Sequence, residues 1–453
     1  MAGCGSDTPA AEGLPSTAID RTDPVGSTTP PPTTDRGWLD GEPEWDATSD
    51  EARGVADDAA GAPAGAGREE AAATDAPSTE LSEPLTPGEG APGPLRAGSV
   101  DDNADFAGYL EYLARIDALG VPLRGFDPAG RIVVSVAGDD GLPIAGADVE
   151  VAPSDGSAVV HVRTTADGTA RFHPALYGLA APDLEFTVTW NGVSVPAAAG
   201  ESVELVADQP GGRTAPIAVD VLFLLDATGS MSDEIDRLKT SIDSVADRVS
   251  ALEGAPDVRF AMTLYRDEGD AFVTATRDFT GDVQAFRADL ADVVADGGGD
   301  YPEALEEGLA EALAAPAWRD PASTLQLVFL VADAPPQVGR QLDQPYDESL
   351  RQAIGRGVKI FPVASSESDD QAEAVFRQLA QGTGARFVFL SYGAGGAATG
   401  GSTDIDSTDY EELALDDLVV RLVAEEIAAL TGDATVVPPV TAPPVPTTNP
   451  PGQ

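Results

Sequence analysis

Cysteine is all but absent from this 453-residue chain: Cys4 stands alone, so neither an intrachain disulfide nor a multi-cysteine metal site can form. Histidine is nearly as scarce. His161 and His173 are the whole supply, which leaves histidine general acid–base chemistry and a histidine zinc site almost without material. Lysine is reduced to Lys239 and Lys359, and Lys plus Arg number 26 against 77 Asp plus Glu, a net charge of −51. A surface of that sign repels phosphate, which excludes nucleic-acid binding through a basic face. Anionic membrane surfaces are poor partners for the same reason. Its natural counterparts are cations and proteins with basic patches. No apolar run reaches the ~18 residues of a membrane-crossing helix. The main domain described below has no nucleophile–base pair, no histidine and no Walker-type phosphate loop, so the expectation is that this is not an enzyme. What is present is 42% hydrophobic, enough for a core, over a length of two or three domains.

Residues 1–100 are poor in aromatics and β-branched aliphatics and rich in Pro, Ala, Gly, Ser, Thr, Asp and Glu. Stretches such as Ser27–Thr34 cannot bury enough surface to offset ordering entropy, so a disordered acidic linker is expected. Trp38, Leu39 and Trp45 are isolated anchors within it. The opening Met1-Ala2-Gly3-Cys4 resembles the end of a bacterial lipoprotein signal, in which a Leu-x-Gly/Ala-Cys box precedes cleavage. Here Met1 stands in the Leu position. The resemblance implies lipidation of Cys4, a cell-envelope or cell-surface location, and membrane contact only through that lipid.

Within 101–125, Phe106, Tyr109, Leu110, Leu113, Ile116 and Leu119 recur at three- and four-residue intervals and predict a helix. The period changes to two over 130–210. Ile132–Val136, Val149 to Val151, Val159–Thr164, Thr169–Phe172, Leu184–Trp190 and Val193–Val195 read as strands. Asp167-Gly168 and Asn191-Gly192 are hairpin signals. The runs Gly141-Leu142-Pro143-Ile144-Ala145-Gly146-Ala147-Asp148-Val149 and Thr165–Phe172 resemble the small carboxypeptidase-regulatory-like β-sandwich family, which implies a spacer or binding platform. His161 and His173 read as ordinary strand and loop residues.

From Ile217 strands and helices alternate. Val219 to Leu225 is a nearly unbroken apolar run, which suits a strand buried on both faces of a parallel sheet. Met231, Ile235, Leu238, Ile242, Val245, Val249 and Leu252 follow as one apolar helical stripe. Further strands are expected at Val258–Tyr265, Phe272–Thr276, Leu325–Val331, Lys359–Val363 and Arg386–Leu390. Helices are expected at about 283–294, from Pro302 onward, at 348–356, 370–381 and 415–430. This alternation predicts an α/β, doubly wound, mostly parallel sheet over 217–431. Ligands in such sheets sit beyond the carboxyl ends of the strands. Two long apolar strands lead there into aspartates, Asp226 and Asp333, and the first is followed by the hydroxyls of Thr228 and Ser230. Hard oxygen donors without Cys or His suit Mg²⁺, Ca²⁺ or Mn²⁺.

The run Asp226-Ala227-Thr228-Gly229-Ser230-Met231 after an apolar strand resembles the von Willebrand factor type A domain with its metal-ion-dependent adhesion site, over about 217–392 and on to 431. The resemblance implies a Rossmann-like fold in which Asp226, Thr228, Ser230 and Asp333 hold a divalent cation. The family's second-loop Thr is absent. Asp300-Tyr301-Pro302-Glu303 is similar to the Asp-x-Pro-Glu of integrin β-subunit domains, which favours Glu303 as the replacement and leaves Asp300 as rival or as ligand of a neighbouring ion. An adhesion-type module follows, in which a partner protein's carboxylate completes the coordination; a metal-independent scaffold in an envelope assembly is the alternative. Asp233-Glu234 reads as a helix first turn, Asp267-Glu268-Gly269-Asp270 as a solvated turn, 393–410 as a flexible insertion, and 432–453 as a Pro-rich disordered tail.

Overall fold

A computed structural model describes residues 95–180, 184–254, 256–299, 301–365, 368–391, 410 and 412–438. Cys4, Trp38, Leu39, Trp45, Asp300 and most of 393–410 and 432–453 lie outside them, as does the Asp233 side chain.

The first described strand, β1 (Arg96–Val100), leads into α1 (Phe106–Leu119). The Asp105 carboxylate caps α1 by accepting from the Gly108 N–H, and Gly120 ends it at φ 75°. Tyr109, Tyr112 and Ile116 carry the buried stripe and pack with Ala374 of a later helix.

A two-layer β-module follows. β2 (Ile132–Ala137), β5 (Thr169–Phe172) and β8 (Ser202–Val206) make one sheet in the order β5-β2-β8. β3 (Asp148–Pro153), β4 (Val160–Arg163), β6 (Glu185–Trp190) and β7 (Val193–Ala198) make the other in the order β4-β3-β6-β7. Ile132, Val134 and Val136 point inward against Val149, Val151, Phe172 and Phe186, the period-two burial of a sandwich. Asn191 (φ 48°) and Gly192 (φ 80°) close the β6–β7 hairpin as expected. Asp167-Gly168 does something else. β4 pairs with β3 and β5 with β2, so this turn crosses between sheets rather than closing a hairpin. The Asp167 carboxylate, accepting from the Thr165 and Thr169 hydroxyls, shapes the turn locally, while inter-sheet packing decides where its two arms go.

The remaining strands are β9 (Ala218–Asp226), β10 (Asp257–Tyr265), β11 (Thr274–Thr280), β12 (Thr324–Ala332), β13 (Val358–Ala364), β14 (Phe387–Ser391) and β15 (Leu413–Ala414). With β1 they form one sheet in the order β11-β10-β9-β12-β13-β14-β1-β15. β10, β9, β12, β13 and β14 run parallel, and β11, β1 and β15 finish the edges by antiparallel pairing. Helices α2 (Ile235–Ser250), α3 (Val283–Ala291) and α7 (Leu415–Thr431) cover one face, and α4 (Leu305–Ala314), α5 (Tyr346–Arg356) and α6 (Asp370–Thr383) the other. β9 shows why: Val219, Val221, Phe223 and Leu225 join the core with α2, whereas Leu222 and Leu224 join the core with α4. The sheet is therefore doubly wound and mostly parallel, as its apolar strands predict.

Two boundaries move. Residues 96–100, placed in the linker by composition, form a strand between β14 and β15. The helix expected from Pro302 starts at Leu305, because the Glu303 N–H donates to the Pro335 carbonyl and bridges two loops before the helix begins.

Candidate metal centre

Asp226 is the last residue of β9, at the carboxyl edge of the sheet, and is fully buried. Its Oδ1 accepts from the Thr228 N–H (2.9 Å) and the Thr228 hydroxyl (2.6 Å). Thr228 Oγ1 lies 3.0 Å from Ser230 Oγ. Thr228 is fully buried and Ser230 exposed, so one hydroxyl faces the interior of the site and the other its mouth. The turn Gly229–Asp233 then feeds α2, with Glu234 as the buried residue before it.

The second loop is laid against the first by backbone bonds. The Gly229 N–H donates to the Gly297 carbonyl (3.0 Å), and the Asp296 N–H to the Ala227 carbonyl (3.0 Å). Gly297 and Gly298 have φ 79° and 66°, where a side chain is strained. A Cβ on Gly298 would also stand 2.9 Å from Glu303 Oε1 and 3.1 Å from Thr228 Cβ. The bare glycine is thus what lets Glu303 and Thr228 approach from different loops. Glu303 is 4% exposed and Asp333, just past β12, 6%.

Like charges gathered away from water raise each other's pKa. Burial first, then Asp226, Asp267, Asp333 and Asp270, pushes Glu303 up to about 8. Burial pushes Asp226 up to about 6, against the Thr228 donors. Burial and the charges of Asp226 and Asp333 raise the Tyr265 phenol well above its usual value. Asp226 and Asp333 thus lie near enough to Glu303 for their charges to act on it. Asp226 Oδ2 and Glu303 Oε2 are buried with no hydrogen-bond partner; each such oxygen costs about 1–3 kcal/mol. A divalent cation would satisfy both. Among the described residues no three Asp, Glu, His or Cys side chains are spaced to hold a metal ion together; the oxygens beside Asp226 are the Thr228 and Ser230 hydroxyls. Oxygen donors of this kind suit a hard cation.

The turn after β10 departs from expectation. Arg266 is 7% and Asp267 5% exposed, while Glu268 and Gly269 face solvent, so the turn is solvated at its tip but anchored beside the site at its start. The pattern that could have found it is Tyr265-Arg266-Asp267 at the carboxyl end of a parallel strand, the same edge that carries Asp226. His161, by contrast, is an exposed strand residue paired with Asp148 at 2.8 Å, and His173 is buried against Phe126.

Residues 220–392 match the family model of the von Willebrand factor type A domain. The alpha-protein kinase vwkA of Dictyostelium discoideum is 31% identical over 118 residues, 26% of this chain and 18% of that protein. The chain therefore spans less than a fifth of that relative's length. Among solved structures, the proximal thread matrix protein 1 from the mussel byssus, with a zinc-occupied MIDAS motif, overlaps 36% of this chain and 41% of its own, at 15% identity and TM-score 0.28. The pilus adhesin SpaC from Lactobacillus rhamnosus GG, in an open conformation, overlaps 44% and 28% at 12% identity and TM-score 0.28. At these TM-scores the likeness carries neither fold nor function to this chain.

Proposed function

We propose, starting from the von Willebrand factor type A domain over residues 220–392, that this protein is a binding module that holds a partner protein through a divalent cation. Asp226, Thr228, Ser230, Glu303 and Asp333 hold the ion, and a carboxylate of the partner completes its shell. The observation that carries this reading is the pair of buried oxygens without donors, Asp226 Oδ2 and Glu303 Oε2, on two loops that a bare Gly298 lets meet. The ion is Mg²⁺, Ca²⁺ or Mn²⁺, since every donor is oxygen. Asp300 stands as a further ligand of this or a neighbouring ion. The acidic surface favours a partner whose carboxylate is set among basic groups. The module acts without catalysis. It works at the cell envelope or surface, tethered by lipid on Cys4 through residues 5–94, with the β-module as a spacer of the carboxypeptidase-regulatory-like kind.

Isothermal titration with Mn²⁺ tests the ion. The full chain is expected to bind it, and Asp226→Ala and Glu303→Ala to lose at least tenfold in affinity. Unchanged affinity in both variants refutes the site. Capture of surface proteins on the immobilised chain, with Mg²⁺ or with EDTA, tests the bridge. Equal capture in both supports the metal-independent scaffold instead.

A further inference from the structure

The turn after β10 contacts all three loops of the candidate centre. Arg266 Nε donates to the Ala227 carbonyl (3.1 Å) and Nη2 to the Val294 carbonyl (2.8 Å), with its guanidinium 4.5 Å from the centre of the Phe272 ring. Ala227 lies between the ligands Asp226 and Thr228, and Val294 opens the second loop. Asp270 Oδ2 accepts from the Gly298 N–H (2.8 Å) and from the Asp267 N–H (3.1 Å). Gln337 of the third loop donates from Nε2 to Asp267 Oδ1 (3.0 Å) and to the Pro302 carbonyl (2.9 Å).

These bonds answer a specific need. Two successive glycines at positive φ have little intrinsic reason to keep one shape, yet Gly298 is the surface against which Thr228 and Glu303 both rest. A charge-assisted bond from an ionised carboxylate to the Gly298 N–H fixes that backbone. The Arg266 guanidinium, bonded to the Ala227 and Val294 carbonyls, does the same for the first loop.

We propose that Arg266 and Asp270 are positioning residues of the metal centre: they set the loop backbones that carry Asp226, Thr228 and Glu303, and neither is itself a ligand. The proposal rests on the cation reading above, but it makes a separate claim about the loops. Both amides bond the same oxygen of Asp270, so Asp270→Asn can keep both bonds while losing the charge.

The test uses the full chain with two readouts. Mn²⁺ titration followed by electron paramagnetic resonance gives affinity, and hydrogen-exchange mass spectrometry over 226–231 and 295–299 gives loop order without metal. Asp270→Ala and Arg266→Ala are expected to weaken Mn²⁺ about tenfold or more. They are expected to speed exchange about tenfold in the second and first loops respectively. Asp270→Asn, which keeps both bonds, stays within about threefold of the wild type in both readouts, well short of the tenfold or greater loss expected when an outer-shell partner is removed. If Arg266→Ala fails to fold, Arg266→Lys, which keeps one donor, should fall between it and the wild type. Asp270→Asn losing as much affinity as Asp270→Ala, with exchange unchanged, would make Asp270 a ligand and overturn the proposal; so would unchanged exchange in every variant. If the wild type binds no Mn²⁺, the cation reading falls and exchange alone decides the positioning role.

Discussion

Asp226 and Glu303 are kept where carboxylates are least comfortable, and their protonation links the site to pH. Both pKa values are raised in the fold, to about 6 and about 8, first of all by burial. The native state therefore holds protons that the unfolded chain has released, so stability from these groups is full below about pH 4 and is lost as pH rises through 6 and then 8. On the reading proposed above, a bound cation would reverse this by taking the place of the protons. Without divalent metal the melting temperature should fall between pH 5 and 8.5, and added Mg²⁺ or Mn²⁺ should restore it most at the upper end; scanning fluorimetry at both pH values checks this, and an equal effect of metal at pH 5 contradicts it. His173 has the opposite sign. It is fully buried, neither ring nitrogen has a hydrogen-bond partner, and burial with Arg131 and Arg171 pushes it down to about 3. Its contribution is complete above pH 6.5 and is lost as pH falls towards 3, about 2 kcal/mol at pH 5. His173→Phe should flatten that acid slope relative to the wild type in urea titrations at pH 7 and pH 5.

At the scale of elements, the long apolar strands and striped helices were readable because burial on both faces leaves an unmistakable run. β1 was not. Arg96-Ala97-Gly98-Ser99-Val100 has neither alternation nor β-branched density, and its strand state comes from pairing with β14 and β15 on either side. Gly98 fits there because a Cβ would stand 2.5 Å from Tyr410 and 2.6 Å from Phe389. A chain starting at Leu95 and one starting at Asp101 differ by this strand and the buried Leu95 before it. The shorter should melt several degrees lower and expose β14 to exchange, a consequence of unpaired ladder groups. The turn after β10 was only half legible for a related reason: Glu268 and Gly269 are exposed as the polar run suggests, while Asp267 is buried by contacts with loops distant in sequence.

Across the whole molecule, a buried cation lies where the β-module meets the large sheet, beside the apolar core that the two share. Lys359 on β13, 4% exposed, places Nζ 2.7 Å from Glu426 of α7 and 3.8 Å from Asp167 of the β-module. Nearby, Arg213 donates to carbonyls of Ala145 in the β-module and Ala322 before β12. Lys359→Met would leave Glu426 buried without its partner, at a cost of about 3–5 kcal/mol. Calorimetry should show the wild type unfolding in one transition over these parts and Lys359→Met at lower temperature, with Lys359→Met/Glu426→Leu recovering most of the loss. A double variant as unstable as the single one would show that the lysine's role is not to neutralise Glu426.

By itself the order of residues determined the alternation of strand and helix and the doubly wound sheet, and it marked Asp226, Thr228, Ser230 and Asp333 as candidate donors, because periodicity and strand-end chemistry are local properties of a chain. The division of β4 and β5 between two sheets, the capture of β1 and the burial of Arg266 beneath the first loop were decided only by tertiary structure. Each depends on which distant backbone comes within hydrogen-bond reach, and that distance is set by packing, which no stretch of sequence contains.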